Sequence, residues 1–299
     1  MTKQTNFITY DDFTADQLKG IIDQAILLKK NPYQSLLHNK QLVMIFQKNS
    51  TRTRLSFEIG MNQLDGNAVF LSSDQSQLGR GEIIEDTAQV ISRYADIVMI
   101  RANSHEDVLK FAENATIPVI NGLTDYNHPC QILADIMAYT EHRGSIEGKK
   151  VAWIGDGNNV CTSWIEASHK FNFALHIAVP SKYAADKVAL DLAASYNANI
   201  TITDDPADAC RNADLVTTDS WVSMGDLDAD ERMEALAPFQ VTRELMALAG
   251  PQALFMHCLP AHRGEEAETE VIDGPGSVIF DEAENRLHVQ KAVMCYLLT

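Results

Sequence analysis

Residues 49 to 57 read NSTRTRLSF, which places Ser50, Thr51, Arg52 and Thr53 directly after the β-forming run QLVMIF and ahead of a helical pattern. A junction of strand and helix favours anions, because the N–H groups of the first helical turn and the positive end of the helix dipole point outward there. Three hydroxyls and a guanidinium fork add further donors, and the simplest ligand for that set is a phosphate. One Ser or one Arg at such a place has an ordinary explanation, as an N-cap or a solvated surface charge. The density here goes beyond that, since a cap uses a single hydroxyl.

Other strand-to-loop transitions carry comparable chemistry. In GLTDYNHPCQ, His128 stands at a helix start, Pro129 at the first helical position and Gln131 three residues after His128. The plain reading is a capped helix, although His is a poor cap. The functional reading sets an imidazole and an amide side by side, both able to hydrogen-bond a carbonyl and stabilise charge developing on its oxygen. Arg101, directly after DIVMI, could reach the same oxygen; alone it reads as a surface charge. VAWIGDGNNV resembles a dinucleotide fingerprint, but position 160 is Val where the third glycine belongs. Asn158 and Asn159 fill that turn and offer amide donors and acceptors suited to an amino acid, or simply make a turn. In TTDSWVSMG, Asp219 supplies a carboxylate for an ammonium, while Ser223 and Met224 suit a slot for a short alkyl chain. In FMHCLPAH, Cys258 follows His257, yet neighbours on a strand point to opposite faces, so His257 is badly placed to activate the thiol. Cys258 therefore reads as a contact lining a site rather than as a nucleophile, with a small buried hydrophobe as the plain alternative.

The elements that must position these residues alternate along the chain. Helical segments such as TADQLKGIIDQAILLKK and HEDVLKFAENA interleave with strand-like runs such as NAVFLS, DIVMI, IPVIN, VAWIGD, ALHIAVP, NITITD, LVTTDSW, QALFMHCLP and VIFDEA. Such alternation predicts an α/β protein of two doubly wound domains with parallel sheets, whose ligands lie beyond the carboxyl ends of the strands. The Gly-containing, mixed-charge stretch RGSIEGKK marks the expected boundary, between a domain of residues 1–143 and one of residues 149–283. The 299 residues are 45% hydrophobic, enough for a large core in about two domains. A net charge of −17 argues against nucleic acid and against anionic membrane surfaces as partners. Five scattered cysteines without C-x-x-C spacing fit neither a disulfide framework nor a zinc site, which points to a reducing cytoplasm. No signal pattern and no membrane-length apolar run is apparent.

STRTR at 50–54, HPCQ at 128–131, DSWVSMG at 219–225 and HCLP at 257–260 together closely resemble the aspartate and ornithine carbamoyltransferases, and within them the ornithine branch. The resemblance extends from the first helix to the last. It implies transfer of a carbamoyl group from carbamoyl phosphate to the side-chain amine of L-ornithine, giving L-citrulline and phosphate in arginine biosynthesis. It also implies an active site between the two domains, a C-terminal helix of residues 284–299 packing back on the first domain, and no metal or other cofactor. Carried over by motif, Ser50, Thr51, Arg52 and Thr53 hold the phosphate, and Arg101, His128 and Gln131 the carbamoyl group. Asn159, Asp219, Ser223 and Met224 hold the amino-acid end of ornithine, and Cys258, Leu259 and Arg286 border the reacting centre. Gln77 of SQLGRGE corresponds to a residue contributed by the neighbouring subunit of a homotrimer. Sister enzymes that use putrescine or an acylated ornithine fit less well, because Asp219 and the intact S-M-G suit a charged amino acid. An NAD-dependent oxidoreductase would need the missing glycine.

Overall fold

The structure, a computed structural model, describes residues 5–72, 81–222 and 228–299. Its first elements are α1 (Ala15–Lys30), β1 (Gln41–Phe46), α2 (Thr51–Gln63), β2 (Asn67–Ser72), α3 (Ile84–Ile91), β3 (Ile97–Arg101), α4 (His105–Asn114), β4 (Val119–Leu123) and α5 (Pro129–Arg143). There follow β5 (Lys150–Ile154), α6 (Asn159–Phe171), β6 (Ala174–Ala178), α7 (Lys187–Ser195), β7 (Ile200–Thr203), α8 (Pro206–Cys210) and β8 (Leu215–Thr218). The last are α9 (Ala229–Leu236), α10 (Arg243–Met246), β9 (Leu254–His257), α11 (Thr269–Ile272) and α12 (Ile279–Leu298). Two compact units result, one of residues 1–137 with 284–299 and one of residues 138–283.

In the first unit a four-stranded parallel sheet runs β2-β1-β3-β4. In the second a five-stranded parallel sheet runs β7-β6-β5-β8-β9. The parallel α/β architecture expected from the alternation is thus present twice. Of the second sheet's central strands, β8 is buried at every position and β5 at all but its first. The edge strands β2 and β7 are partly exposed, whereas the edge strand β9 is buried at every position. In each sheet the strand order reverses beside the first strand, between β1 and β3 and between β5 and β8. Open α/β sheets bind ligands at such switch points, so the loops after these four strands are the places to look.

One element differs from the reading by sequence. VIFDEA is not a strand: only Ser277 and Val278 lie along β9, and α12 begins at Ile279. Asp281 and Glu282 sit in the first turn of α12, where their charge complements the helix dipole, and this outweighs the β preference of the apolar triplet.

α12 is fixed within the first unit by a buried lysine. Lys291 is 0% exposed, and its Nζ donates to the carbonyls of Leu28 and Pro32, each at 3.2 Å, and to Gln63 Oε1 at 2.8 Å. Burial lowers its pKa to about 8. The same helix carries Arg286, so this clamp sets where that guanidinium points. Lys291→Met leaves three acceptors without a donor and is expected to cost about 2–3 kcal/mol of stability in urea unfolding. Between pH 8 and the unfolded lysine value the unfolded chain holds more protons than the folded one, so stability rises with pH there. The variant should lose that rise.

Candidate active site

In the first unit the site begins at the start of α2. Ser50 is its N-cap, in extended conformation, and its Oγ accepts the Thr53 N–H at 3.3 Å. The first turn holds no acidic residue, so the positive end of the dipole is not offset by the helix itself. Thr51 and Arg52 are exposed at this end, whereas Thr53 is buried. Arg54 points elsewhere, its guanidinium 4.0 Å over the Phe70 ring and its Nε 3.2 Å from Glu58 Oε2.

Thr53 Oγ1 is the point on which the unit's cations converge. It accepts from Ser50 Oγ at 3.1 Å, from Arg101 Nη1 at 3.4 Å and from Arg286 Nη2 at 3.2 Å. Arg101 is the last residue of β3, at the switch point. Arg286 is 5% exposed and also donates through Nη1 to Gln131 Oε1 at 2.5 Å. Gln131 is held from its other end, its Nε2 donating to Asp135 Oδ1 at 2.7 Å one helical turn further along α5. Two guanidinium groups, a hydroxyl and an amide thus meet beside a helix N-terminus, a fixed positive site in a strongly acidic protein.

His128 precedes α5 and is buried. The turn before it is pinned by Asn127, whose N–H donates to Thr124 Oγ1 at 3.3 Å and whose Nδ2 donates to the Ile8 carbonyl at 3.2 Å. Asn121 Nδ2 donates to Asn127 Oδ1 at 2.5 Å, and Tyr10 Oη to the Pro129 carbonyl at 2.5 Å. Burial, reinforced by the charges of Arg286 and Arg101, holds the His128 pKa well below the ordinary histidine value. The ring is therefore neutral at pH 7, able to donate an N–H to a carbonyl while carrying no charge of its own. In histidine-detected NMR the His128 ring should remain neutral at pH values where an ordinary histidine, with its pKa of about 6.5, is already protonated. Because the unfolded chain protonates this residue below about 6.5, His128 contributes stability that is lost as pH falls below that value, and His128→Gln should flatten this part of the stability curve.

In the second unit the corresponding loops follow β5, β8 and β9. Gly157 is required by packing: a Cβ there would lie 2.4 Å from the backbone of Ala184 and Ala185. Asn158 is the N-cap of α6, its Oδ1 accepting the N–H groups of Val160 at 2.9 Å and Cys161 at 3.1 Å. Its Nδ2 donates to Asp219 Oδ2 at 2.8 Å. Asp219 Oδ1 accepts the Ser220 N–H at 2.8 Å and the Cys258 thiol at 3.0 Å. The carboxylate is thereby oriented from two elements. Ser220 Oγ donates to the Pro260 carbonyl at 2.8 Å, tying the loop after β8 to the loop after β9.

Both ring nitrogens of His257 are engaged by partners other than the neighbouring thiol. Its Nδ1 accepts the Leu259 N–H at 2.9 Å, which leaves the proton on Nε2, and this donates to buried Glu266 Oε1 at 2.9 Å. The ring secures Leu259 at φ 60°, a left-handed conformation that a branched side chain adopts only when its surroundings impose it.

Ser50, Thr53, Arg101, His128, Gln131 and Arg286 therefore cluster in the first unit, with Thr51 and Arg52 at the same helix end. Asp219 and Cys258 are in direct contact in the second, with Leu259 next in the chain. Asn159 is the first residue of α6, and the contact to Asp219 comes from its neighbour Asn158. Gln77, Ser223 and Met224 lie outside the described residues. Sequence reasoning named Asn158 together with Asn159 in this turn, but the resemblance carried over Asn159 alone, and it is Asn158 that reaches Asp219. Sequence reasoning did not single out Asp135, which nothing distinguishes from any acidic helix residue.

Residues 5–141 match the carbamoyl-phosphate-binding domain of the aspartate/ornithine carbamoyltransferases, and residues 147–297 match the family's Asp/Orn-binding domain. Over 299 residues the chain is 53% identical to the ornithine carbamoyltransferase of Dechloromonas aromatica (strain RCB), an alignment covering 98% of this chain and 97% of that one. It is similar to the crystal structure of ornithine carbamoyltransferase from Burkholderia thailandensis E264, with a TM-score of 0.90, 50% identity and 98% coverage of both chains. It is also similar to the anabolic ornithine carbamoyltransferase of Campylobacter jejuni, with a TM-score of 0.94, 40% identity, and 98% and 99% coverage of the two chains.

Proposed function

The chain belongs to the aspartate/ornithine carbamoyltransferase family, and from this we infer that it transfers the carbamoyl group of carbamoyl phosphate to the side-chain amine of L-ornithine, giving L-citrulline and phosphate. The observation that carries the reading is the convergence of Arg101 and Arg286 on Thr53, beside neutral His128 and Gln131 and at the start of α2. Ser50, Thr51, Arg52 and Thr53 with the α2 N-terminus bind the phosphate. Arg101, His128, Gln131 and Arg286 bind the carbamoyl oxygen. Asp219 takes the ammonium of ornithine, with Asn159, Ser223 and Met224 on its amino-acid end, and Cys258 and Leu259 border the reacting carbon.

The neutral side-chain amine attacks the carbonyl carbon, forming an N–C bond and a tetrahedral oxyanion. That negative charge meets Arg101, His128 and Arg286, donors already held in place, so little reorganisation is needed as the barrier is crossed. The C–O bond to the phosphoryl group then breaks; the departing phosphate keeps the electron pair, takes up the proton that the attacking nitrogen loses, and is stabilised by Arg52 and the helix N-terminus. Cys258 positions and does not attack; its thiol is occupied by the Asp219 carboxylate.

The resemblance of the Campylobacter jejuni structure, whose name calls it anabolic, supports a place in arginine biosynthesis. Five free cysteines suit a reducing cytoplasm, and among the described residues no helix is long and apolar enough to cross a membrane. The acceptor is tested by comparing kcat/KM for ornithine, putrescine and N-acetylornithine at fixed carbamoyl phosphate. Ornithine should be preferred by orders of magnitude, and equal use of putrescine would overturn the assignment.

The reading extends to a homotrimer in which Gln77 completes the site of the next subunit. Mixing an Arg52→Ala protein with one altered at residues 76–80, after dissociation and random reassembly, leaves a site whole only when its own Arg52 and its neighbour's residues 76–80 are both intact. In a cyclic trimer that is one half times one half, so two nearly inactive proteins should recover roughly a quarter of normal activity. A mixture as inactive as its parents after verified subunit exchange would remove the shared site.

A further inference from the structure

Glu266, in the second unit, is a fully buried carboxylate whose two oxygens are used differently. Oε1 accepts the His257 Nε2–H at 2.9 Å and the His262 backbone N–H at 2.6 Å. Oε2 accepts no hydrogen bond. A carboxylate oxygen thus lies buried with no hydrogen bond to it, an arrangement that costs free energy unless a cation completes it. The neighbours of Oε2 are metal ligands by type. His262 Nδ1 is 3.6 Å away, too far for a hydrogen bond, and the same nitrogen is 3.8 Å from Glu265 Oε2. One ligand atom of each of the three residues lies within 4.8 Å of the other two. Ligand atoms around a tetrahedral zinc ion sit about 3.3 Å apart, so small side-chain adjustments close the triangle. The His262 and Glu265 side chains are about half exposed, which gives an ion a path in from solvent and leaves room for water as a further ligand.

We propose that His262 Nδ1, Glu265 Oε2 and Glu266 Oε2 form a binding site for a divalent transition-metal ion of the zinc type. Imidazole with two carboxylates favours such an ion over magnesium or calcium, which take oxygen ligands alone. The His257 bond to Oε1 orients the ligating carboxylate, as outer hydrogen bonds commonly do at metal sites. Through Glu266 and His257 the ion would brace residues 257–262, the segment carrying Cys258 and Leu259. The site is distinct from a second grouping of Asp219, His257 and Cys258, whose strongest ligand would be a thiolate.

Cobalt(II) and zinc(II) titrations of the full chain separate the two groupings. In a Cys258→Ser background the protein should still bind about one equivalent of cobalt(II), with visible bands but no thiolate charge-transfer absorption, and zinc(II) should raise Tm. Adding His262→Ala or Glu265→Ala, both at exposed positions where the fold tolerates change, should weaken binding by about 100-fold and abolish the Tm shift. Binding that disappears in Cys258→Ser, binding unaffected by His262→Ala and Glu265→Ala, or no binding at micromolar metal would each overturn the proposal.

Discussion

Arg286→Met is expected to lower kcat/KM for carbamoyl phosphate by roughly a thousandfold, because one side chain performs three tasks. It bonds Thr53, it orders Gln131, and it places a cation where the carbonyl oxygen becomes an oxyanion. The loss should fall mainly on kcat, since the charge it meets develops during the reaction rather than in the bound substrate. Thermal stability should change little, because α12 is secured five residues further on by Lys291. A second signature follows from electrostatics. Removing the Arg286 charge removes one of the causes that keep His128 neutral, so the His128 pKa should move upward in the variant. A variant within about tenfold of the parent, with an unchanged His128, would show that Arg286 is structural only.

Asp219→Asn is expected to lower kcat/KM for ornithine by roughly a thousandfold while leaving carbamoyl phosphate binding close to normal. The carboxylate is held by the Asn158 amide, the Ser220 N–H and the Cys258 thiol, so its direction is fixed before any ligand arrives. An amide of the same shape cannot balance an ammonium in a partly dehydrated place, and it turns an acceptor oxygen into a donor facing one of these partners. The residues assigned to carbamoyl phosphate are unaltered by the change. Calorimetric titration with a phosphonate analogue, run beside ornithine kinetics, separates the two effects. A parallel loss of both would mean that Asp219 supports the fold and does not recognise the amine.

The elements were legible in the sequence wherever apolar runs were long or the helical period persisted. The strands β1, β3, β5, β8 and β9 are buried runs that read as strands without knowledge of their partners. VIFDEA misled because three apolar residues carry no period, and the acidic residues after them belong to a helix start. The short helices α8, α10 and α11 have too few residues to show a period at all.

The candidate site was legible in unequal parts. The group at Ser50–Thr53 and the His128–Gln131 pair stand out because unusual residues crowd a recognisable junction. Arg286 does not: in AENRL it is one helical arginine among ordinary neighbours, and only resemblance to a family singled it out. Its partner Thr53 is 233 positions away, a separation that no local pattern bridges. Asp135 is hidden as well, because its bond to Gln131 one helical turn away leaves no mark in the sequence. Within STRTR the sequence cannot rank Arg52 and Arg54 by period; the contact of Arg54 with Phe70 on β2 settles which arginine remains at the helix end.

The most direct measurement is to follow carbon-13-labelled carbamoyl phosphate with unlabelled ornithine by carbon and phosphorus NMR in one tube at neutral pH. The label should move into the ureido carbon of citrulline with one phosphate released per citrulline, faster by orders of magnitude than the background breakdown of carbamoyl phosphate, and Arg286→Met should suppress both signals together. Phosphate released while the label enters bicarbonate instead of citrulline would contradict carbamoyl transfer to ornithine.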